Sequence, residues 1–86
     1  SAGSATKELK KELQKQQRIF QQLEEKIANL SEKKRQLESA LGDSATYSDK
    51  NKFLQTETEY KRITQDLENL NSEYEKVFEK LMELEK

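Results

Sequence analysis

Apolar residues recur along most of the chain in alternating steps of four and three. One series runs from Leu9 to Leu41 and a second from Phe53 to Leu84, with ten positions in each. Seventeen of these twenty positions hold an apolar residue or Tyr, and the exceptions are Gln16, Lys34 and Thr56. A mean step of about 3.5 residues is typical of a left-handed coiled coil. These twenty positions, termed the seam, predict two long helices that pack against each other.

The residues between the two series predict a short turn. Gly42 follows Leu41 directly and is expected to end the first helix in the left-handed conformation, which glycine reaches without a Cβ penalty. Ser48 or Asp49 can cap the second helix by accepting hydrogen bonds from its first N–H groups. We expect a first helix at about residues 6–41, a turn at 42–48 and a second helix at about 49–86. A connection this short joins antiparallel neighbours, so the predicted fold is all-α, a two-helix antiparallel coiled-coil hairpin.

The first five residues differ in composition from the rest. Residues 1–5 are small and polar, and we interpret them as a linker or cloning remnant outside the fold. Because the chain begins with Ser1 rather than Met, we expect it to be a processed or partial chain. Residues 6–86 are expected to form a single hairpin domain.

Polar residues on the seam suggest how the helices align. In an antiparallel pair, facing residue numbers share a constant sum, and this turn is compatible with sums of 90 and 97. The sum of 90 places Lys34 opposite Thr56 and Gln16 opposite Tyr74, whereas 97 places both polar residues opposite apolar ones. The sum of 90 also aligns three flanking pairs of opposite charge, Glu12–Lys80, Lys26–Asp66 and Lys33–Glu59. We therefore predict the alignment in which the numbers of facing residues add up to 90.

Composition excludes several classes of function. Hydrophobic residues make up 31% of the chain and charged residues 38%, which fits an elongated structure with one narrow apolar stripe. The absence of Cys and His removes thiolate nucleophiles, imidazole bases and the commonest metal ligands. The two glycines cannot form a Gly-rich phosphate loop, and no run of about 18 apolar residues could span a membrane. We therefore expect a non-catalytic, cytoplasmic module without cofactor, metal or membrane partner.

Basic residues are concentrated in the first half of the chain. Residues 1–41 carry nine basic and six acidic side chains, whereas residues 42–86 carry seven and eleven. Two groups are candidate contacts for nucleic-acid phosphates. The open-end cluster, near the two termini, comprises Lys7, Lys10, Lys11, Lys15 and Arg18. The tip cluster, near the turn, comprises Lys33, Lys34, Arg35, Lys50 and Lys52.

Each basic cluster also has a simpler interpretation. Lysines on the exterior of a coiled coil often form a solubilising surface that pairs with nearby Glu. For Lys34, the simpler interpretation is a buried stem whose charged end extends to solvent near Thr56. The charge pattern by itself leaves both interpretations open.

Four large apolar residues lie off the seam: Ile19, Leu54, Phe78 and Met82. A hairpin with a single seam has a thin core and can gain stability by weak self-association, for example as a four-helix bundle of two hairpins. The alternative is that these are isolated surface residues of the ordinary kind.

The turn and the end of the chain carry a recognisable pattern. The residues that form it at the turn are Tyr47, Ser48, Asp49 and Lys52. This run resembles the hairpin tip in the C-terminal domain of ABC-F ATP-binding proteins, where Tyr, a small residue, Asp, Pro and a later Lys follow a short acidic turn. Lys50 stands where that family often has Pro. Residues 78–85 are similar to the family's Tyr-x-Arg-Trp-x-x-Leu ending, with Leu81 in place of Trp.

The resemblance, which covers residues 7–86, implies a function. It implies the C-terminal module of an ABC-F-type ATPase, with two ATPase domains upstream in the same chain. Proteins of this family lack membrane spans, are tied to ribosomes and translation, and have a C-terminal coiled coil associated with nucleic-acid binding. The expected role is to help the parent protein engage DNA or ribosomal RNA through the basic clusters. The alternative is a structural spacer or a protein–protein interaction coiled coil, such as a prefoldin-like arm, without nucleic-acid binding.

Overall fold

Residues 2–86 contain two long helices and one short helix. The computed structural model describes residues 2–86, with side chains from residue 5 onward. Helix α1 spans Ala2–Leu41, α2 spans Ser44–Tyr47 and α3 spans Lys50–Leu84. α1 and α3 pack side by side, and residues 2–86 contain no strand. The result is a helical hairpin measuring 69 × 16 × 14 Å, which confirms the predicted all-α fold.

The first helix begins earlier than its predicted start at about residue 6. α1 is already helical at Ala2. Ser1 lies outside the described residues, as do the side chains of residues 2–4. The interpretation of residues 1–5 as a linker or cloning remnant therefore stays a prediction.

The connection between the long helices contains a short helix where the sequence predicted only a turn. The Asp43 carboxylate caps α2 by accepting a hydrogen bond of 3.0 Å from the backbone N–H of Ala45. At the other end of α2, the backbone N–H of Ser48 donates to the Ser44 carbonyl at 3.1 Å. Thr46 lies between them and is buried, with 5% of its surface exposed. α2 thus packs against both long helices and closes the tip of the hairpin.

Asp49 fills the predicted capping position of α3. Its backbone is extended, and its carboxylate accepts a hydrogen bond of 3.1 Å from the backbone N–H of Lys52. Ser48, the other candidate, is the C-cap of α2, and its hydroxyl donates to the Ser44 carbonyl. The acidic residue therefore starts the second long helix, as its preference for N-cap positions favours.

Gly42 follows the end of α1, but the left-handed conformation predicted for it is wrong. Its φ is not positive. Its N–H is shared between the carbonyls of Glu38 at 3.3 Å and Ser39 at 3.2 Å, and the N–H of Asp43 donates to the Ala40 carbonyl at 3.1 Å. The last turn of α1 therefore tightens into i→i+3 hydrogen bonds, which satisfy terminal carbonyls without a left-handed residue.

The seam forms the core of the hairpin. Nineteen of its twenty positions are buried or partly buried, and Leu9 near the open end is 49% exposed. The most deeply buried apolar residues are Leu23, Ile63, Leu67 and Leu81. None of the helices in residues 2–86 carries an apolar stretch that could span a membrane. The core is thus one line of side chains, and the outer faces of α1 and α3 are exposed.

Flanking ion pairs support the predicted alignment. Lys33 Nζ lies 3.5 Å from Glu59 Oε1, and Lys80 Nζ lies 3.8 Å from Glu12 Oε1. The third predicted pair, Lys26–Asp66, is not formed among the described residues. Two of the three cross-helix pairs expected for a sum of 90 are therefore present.

Contacts within the seam are displaced by about one helical turn from the predicted matches. Tyr74 stacks on Phe20, whereas the sum of 90 placed it opposite Gln16. The Gln16 amide instead donates a 3.0 Å hydrogen bond to Glu12 Oε1 in its own helix. Helical side chains lean toward the N-terminus of their own helix, and these leans are opposed in an antiparallel pair. The numbers of two residues whose side chains touch therefore add up to more than the numbers of two residues whose Cα atoms face each other.

Candidate nucleic-acid interface

The tip cluster does not form one continuous surface. Lys33, Lys34 and Arg35 are consecutive in α1, so their side chains project about 100° apart around the helix axis. Lys34 lies on the seam, and its two neighbours lie on opposite flanks of it. Three cations that point in different directions cannot contact one phosphate backbone together.

Two cations of the tip cluster are engaged within the hairpin. Lys33 forms the cross-helix ion pair with Glu59. Lys34 is half-buried, and its Nζ lies 5.8 Å from the centroid of the Tyr60 ring, a cation–π arrangement. The simpler interpretation placed this ammonium group near Thr56, whose hydroxyl instead donates a 2.8 Å hydrogen bond to the Lys52 carbonyl.

Arg35 is paired with an acid of its own helix. Its guanidinium donates two hydrogen bonds to Glu32, from Nη2 to Oε1 at 2.6 Å and from Nε to Oε2 at 3.0 Å. The hydrogen bond from Arg35 holds the pKa of Glu32 below its ordinary value, and the same contact raises the pKa of Arg35. The charge of Arg35 is therefore largely balanced locally, at a fully exposed position.

The remaining cations of the tip cluster stand in the first turn of α3. Lys50 and Lys52 are exposed, and neither has an acidic partner among the described residues. Because they are two residues apart, they project about 200° from each other around the axis. The tip therefore offers two separated free cations rather than a patch.

The open-end cluster, by contrast, forms a continuous basic face. At about 100° per residue, its five side chains fall within about 140° of the circumference of α1. This arc is centred opposite the seam, and all five residues are exposed. From Lys7 to Arg18 it extends about 16 Å, at about 1.5 Å per residue. Five cations thus face one side of the rod.

Little acidic charge neutralises the open-end cluster. None of its five residues has an acidic partner among the described residues. The nearest acids, Glu8 and Glu12, lie between the arc and the seam, and Glu12 is engaged with Lys80 and Gln16. From residue 7 to residue 22, the arc holds only Lys, Arg and Gln. A polyanion approaching α1 from outside would therefore meet positive charge and amide donors.

The rest of the described surface offers no enclosed site. Residues 2–86 hold no group of three or more His, Cys, Asp or Glu that could bind a metal ion. The two acids of the tip, Asp43 and Asp49, accept hydrogen bonds from backbone N–H groups as helix caps. A two-helix rod presents faces to a partner rather than a concave cavity for a reaction.

Comparison with known proteins places the hairpin in a family. The family model of the ABC transporter C-terminal domain matches residues 11–86. The chain belongs to this family. The match covers most of α1, the whole tip and all of α3, and it confirms the resemblance to the C-terminal domain of ABC-F proteins. As such a domain, the chain is a non-catalytic module of an ABC protein. No curated protein and no solved structure matched it.

The difference between the two basic clusters was present in the sequence as spacing. Steps of three or four residues, as at Lys7, Lys11, Lys15 and Arg18, keep side chains on one face of a helix. A consecutive run such as 33–35 spreads them around it. Spacing could not show that Lys33 and Arg35 are ion-paired with acidic side chains. Lys7 and Lys10 precede the part of the chain that matches the family.

Proposed function

We propose that this domain is the C-terminal module of an ABC-F-type ATPase and helps its parent engage DNA or ribosomal RNA through the open-end cluster. In this proposal the ATPase domains lie upstream in the same chain, and the parent works in the cytoplasm. Membership of the ABC transporter C-terminal domain family supports a place in an ABC protein. The ABC-F-like residues Tyr47, Ser48 and Asp49 support the narrower assignment.

The observation that carries the nucleic-acid proposal is the unpaired basic arc on α1. Lys and Arg side chains neutralise phosphates and release the counterions condensed around them, which drives binding without reading sequence. A duplex presents about one phosphate per 1.7 Å of its axis, so an arc about 16 Å long lies within reach of several. The number of contacts is then set by the five cations of the arc.

The chemistry of the arc favours backbone contacts over base recognition. Between residues 7 and 22 its non-basic positions are Gln14, Gln21 and Gln22, whose amides can donate to phosphate and sugar oxygens. It carries no aromatic ring on which an unpaired base could stack, as proteins that bind single strands commonly do. We therefore expect little dependence on base sequence and a preference for regular duplex or folded RNA.

Charge separation would orient the hairpin on its partner. Residues 1–41 carry the basic excess, whereas Glu75 and Glu79 lie on the outer face of α3, where Glu83 is paired with Lys86 at 3.5 Å. Although the net charge is only −1, the rod has one basic and one acidic face near its open end. A polyanion is attracted to α1 and repelled by α3, which fixes the side of approach.

Fluorescence anisotropy of duplex DNA and of a structured RNA, titrated with the domain at several salt concentrations, tests the proposal. With four or five phosphate contacts, the logarithm of affinity should fall with the logarithm of salt concentration with a slope of about −4. Replacing Lys11, Lys15 and Arg18 by Gln should weaken binding at least tenfold and reduce the slope by about 2.7.

A matched variant controls for net charge. Replacing Lys50, Lys52 and Arg62 by Gln removes three exposed cations outside the arc and should change affinity much less. Equal losses for the two triple variants would contradict a role specific to the arc. Absence of binding even at low salt would contradict the nucleic-acid role altogether.

A second candidate function is a rigid spacer or protein-docking arm. The rod is 69 Å long, and its two long helices run without interruption on either side of the tip. Such a shape can hold two parts of a larger assembly at a fixed distance. This function would leave the affinity of the parent protein for nucleic acid unchanged when the arc is neutralised, and would make its activity sensitive to shortening both helices by matched heptads.

A further inference from the structure

The two sides of the hairpin are not equivalent. Lys33, Glu59, Lys80 and Glu12 form the cross-helix ion pairs, and each of these residues immediately precedes a seam residue. They all lie on one side of the hairpin, termed the paired side. Residues that immediately follow a seam residue lie on the opposite side, termed the unpaired side, which has no cross-helix ion pair among the described residues.

The unpaired side exposes apolar residues near the open end. Phe78 and Met82 both follow seam residues, and they are 50% and 53% exposed. Phe78 also lines a shallow groove with Tyr74, Glu75 and Glu79. Ile19 is absent from this surface because it precedes a seam residue and lies on the paired side. Leu54 follows the seam residue Phe53 and lies on the unpaired side too, but it is near the tip, so Phe78 and Met82 form the apolar patch at the open end.

The Phe78 ring is held in place before any partner binds. Its centroid lies 6.2 Å from that of Phe20 with an interplanar angle of 35°, and Phe20 in turn stacks on Tyr74. The Phe78 ring thus contacts an aromatic residue of the seam, while half of the residue's surface is open to solvent. An aromatic ring that is already positioned loses little freedom when it is buried in an interface.

We propose that the unpaired side binds a second copy of the chain, in parallel, with α1 of each copy lying against α3 of the other. The argument is charge complementarity between the two helices of the same side. Near the open end α1 presents Lys10 there, with Lys7 at the outer margin, whereas α3 presents Glu75, and Glu79 follows on the adjoining outer face. A two-fold axis along the rod brings the basic open end of α1 in each copy to the acidic open end of α3 in the other, twice.

The same charges select this arrangement over its alternative. A two-fold axis perpendicular to the rod, with the open ends overlapping, would place α1 against α1 and α3 against α3. Lys10 would then approach basic residues, and Glu75 would approach acidic ones, which is unfavourable. A two-fold axis along the rod also places residues at the same height along the two rods next to each other. Lys10 then lies near the level of Glu79 and Met82, as the pairing of Glu12 with Lys80 shows.

The product is a four-helix bundle in which Phe78 and Met82 of both copies become buried. Because the apolar patch is small and the charged residues are exposed, the dimer should be weak and sensitive to salt. Lys11, Lys15 and Arg18 stay on the outer face of α1, so the inference does not depend on the nucleic-acid proposal and can be tested in its absence.

Sedimentation equilibrium of the whole 86-residue chain at low salt, over a range of concentrations, tests the inference. The 10.1 kDa chain should approach twice its mass as concentration rises, and added salt should reverse this. Phe78→Ser combined with Met82→Gln should raise the dissociation constant about tenfold or more. Tyr47→Gln is the matched control, because Tyr47 is 58% exposed and lies in α2, outside the two long helices that form the proposed interface. A monomer at all concentrations, or equal effects of the two variants, would overturn the inference.

Charge exchange tests which faces meet. A variant with Glu75→Lys and Glu79→Lys, and a second with Lys7→Glu and Lys10→Glu, should each dimerise less than the parent chain. Mixed together, they should form a heterodimer, because both contacts between α1 and α3 then join opposite charges. Circular dichroism checks that each variant is helical. Separate variants that dimerise as strongly as the parent chain would overturn the parallel arrangement, because like charges would then already meet in the parent dimer. A mixture that associates no more than the separate variants would overturn it as well.

Discussion

The ring of Tyr74 stacks on the ring of Phe20 across the seam, with centroids 4.4 Å apart and an interplanar angle of 22°. Both residues are half-buried. The pair joins α1 and α3 in the half of the rod near the open end, where Leu9 beyond it is 49% exposed. In a core that is one line of side chains, this stack should supply a large share of the local apolar contact.

Removing either ring of this stack should destabilise the hairpin. We expect Phe20→Ala and Tyr74→Ala each to lower the free energy of unfolding by about 2–3 kcal/mol, below the range for fully buried rings. In a double-mutant cycle followed by urea unfolding, the two changes should couple by about 0.5–1.5 kcal/mol. Strictly additive effects would show that the rings do not interact in solution.

The N-cap of α3 should contribute measurably to stability. Replacing Asp49 by Ala removes the acceptor for the backbone N–H of Lys52 and should lower the free energy of unfolding by about 1 kcal/mol. Asp49→Asn should retain most of it, because Asn is an equally good cap. Asp66→Ala serves as the control, since Asp66 is exposed and should change stability by less than about 0.5 kcal/mol. A loss as large at Asp66 would contradict the capping role.

The contact between Arg35 and Glu32 should be visible in an acid titration. Arg35→Gln should move the pKa of Glu32 up toward its ordinary value, as followed by NMR of the side-chain carboxyl carbon. The folded pKa of Glu32 lies below its unfolded value. The contact therefore adds stability above the unfolded pKa, and this stability is lost as pH falls through the folded pKa.

A neighbouring cation provides the control for this titration. Lys26→Gln removes an exposed positive charge from the same helix without touching the Arg35–Glu32 contact. It should leave the titration of Glu32 unchanged. If Arg35→Gln also leaves it unchanged, the two hydrogen bonds from the guanidinium do not persist in solution.

Periodicity predicted the fold, because a strict repeat of about 3.5 residues leaves a helix only one face to bury. The residue types that accept from orphan N–H groups are few, so the sequence also narrowed the cap of α3 to Ser48 or Asp49, and the structure has it at Asp49. The short helix α2 could not be predicted in this way. Four residues have little helical stability alone, and α2 depends on burial of Thr46 against the long helices.

The candidate site was predictable in part. The spacing of Lys7, Lys11, Lys15 and Arg18 already determines that they share a face once the helix is accepted. Spacing does not reveal ion pairs between helices or between neighbours on one helix. The sequence therefore could not distinguish Lys33 and Arg35, which are paired, from cations that are free to contact a phosphate. Spacing also did not reveal which seam residues touch across the two helices, because those contacts depend on the direction in which side chains lean.

The backbone at Gly42 yields the last prediction, which is opposite to what the left-handed conformation expected from the sequence would imply. In a left-handed C′ position, Ala would be strained and would destabilise the hairpin by about 1 kcal/mol. Gly42 instead lacks a positive φ, and a Cβ there would lie 3.7 Å from the Ser39 carbonyl oxygen and 3.9 Å from that of Glu38, ordinary contact distances. Gly42→Ala should therefore raise the free energy of unfolding by about 0.4–1 kcal/mol, because it restricts the unfolded chain.

Thermal unfolding followed by circular dichroism decides between the two outcomes. Ala40→Gly gives the opposite substitution two residues earlier, inside α1, and should lower the melting temperature, since glycine in a helix costs about 0.5–1 kcal/mol relative to Ala. A rise for Gly42→Ala together with a fall for Ala40→Gly would establish that α1 ends by tightening its last turn. A fall for both variants would mean that Gly42 is left-handed in solution and that the sequence-based prediction was right.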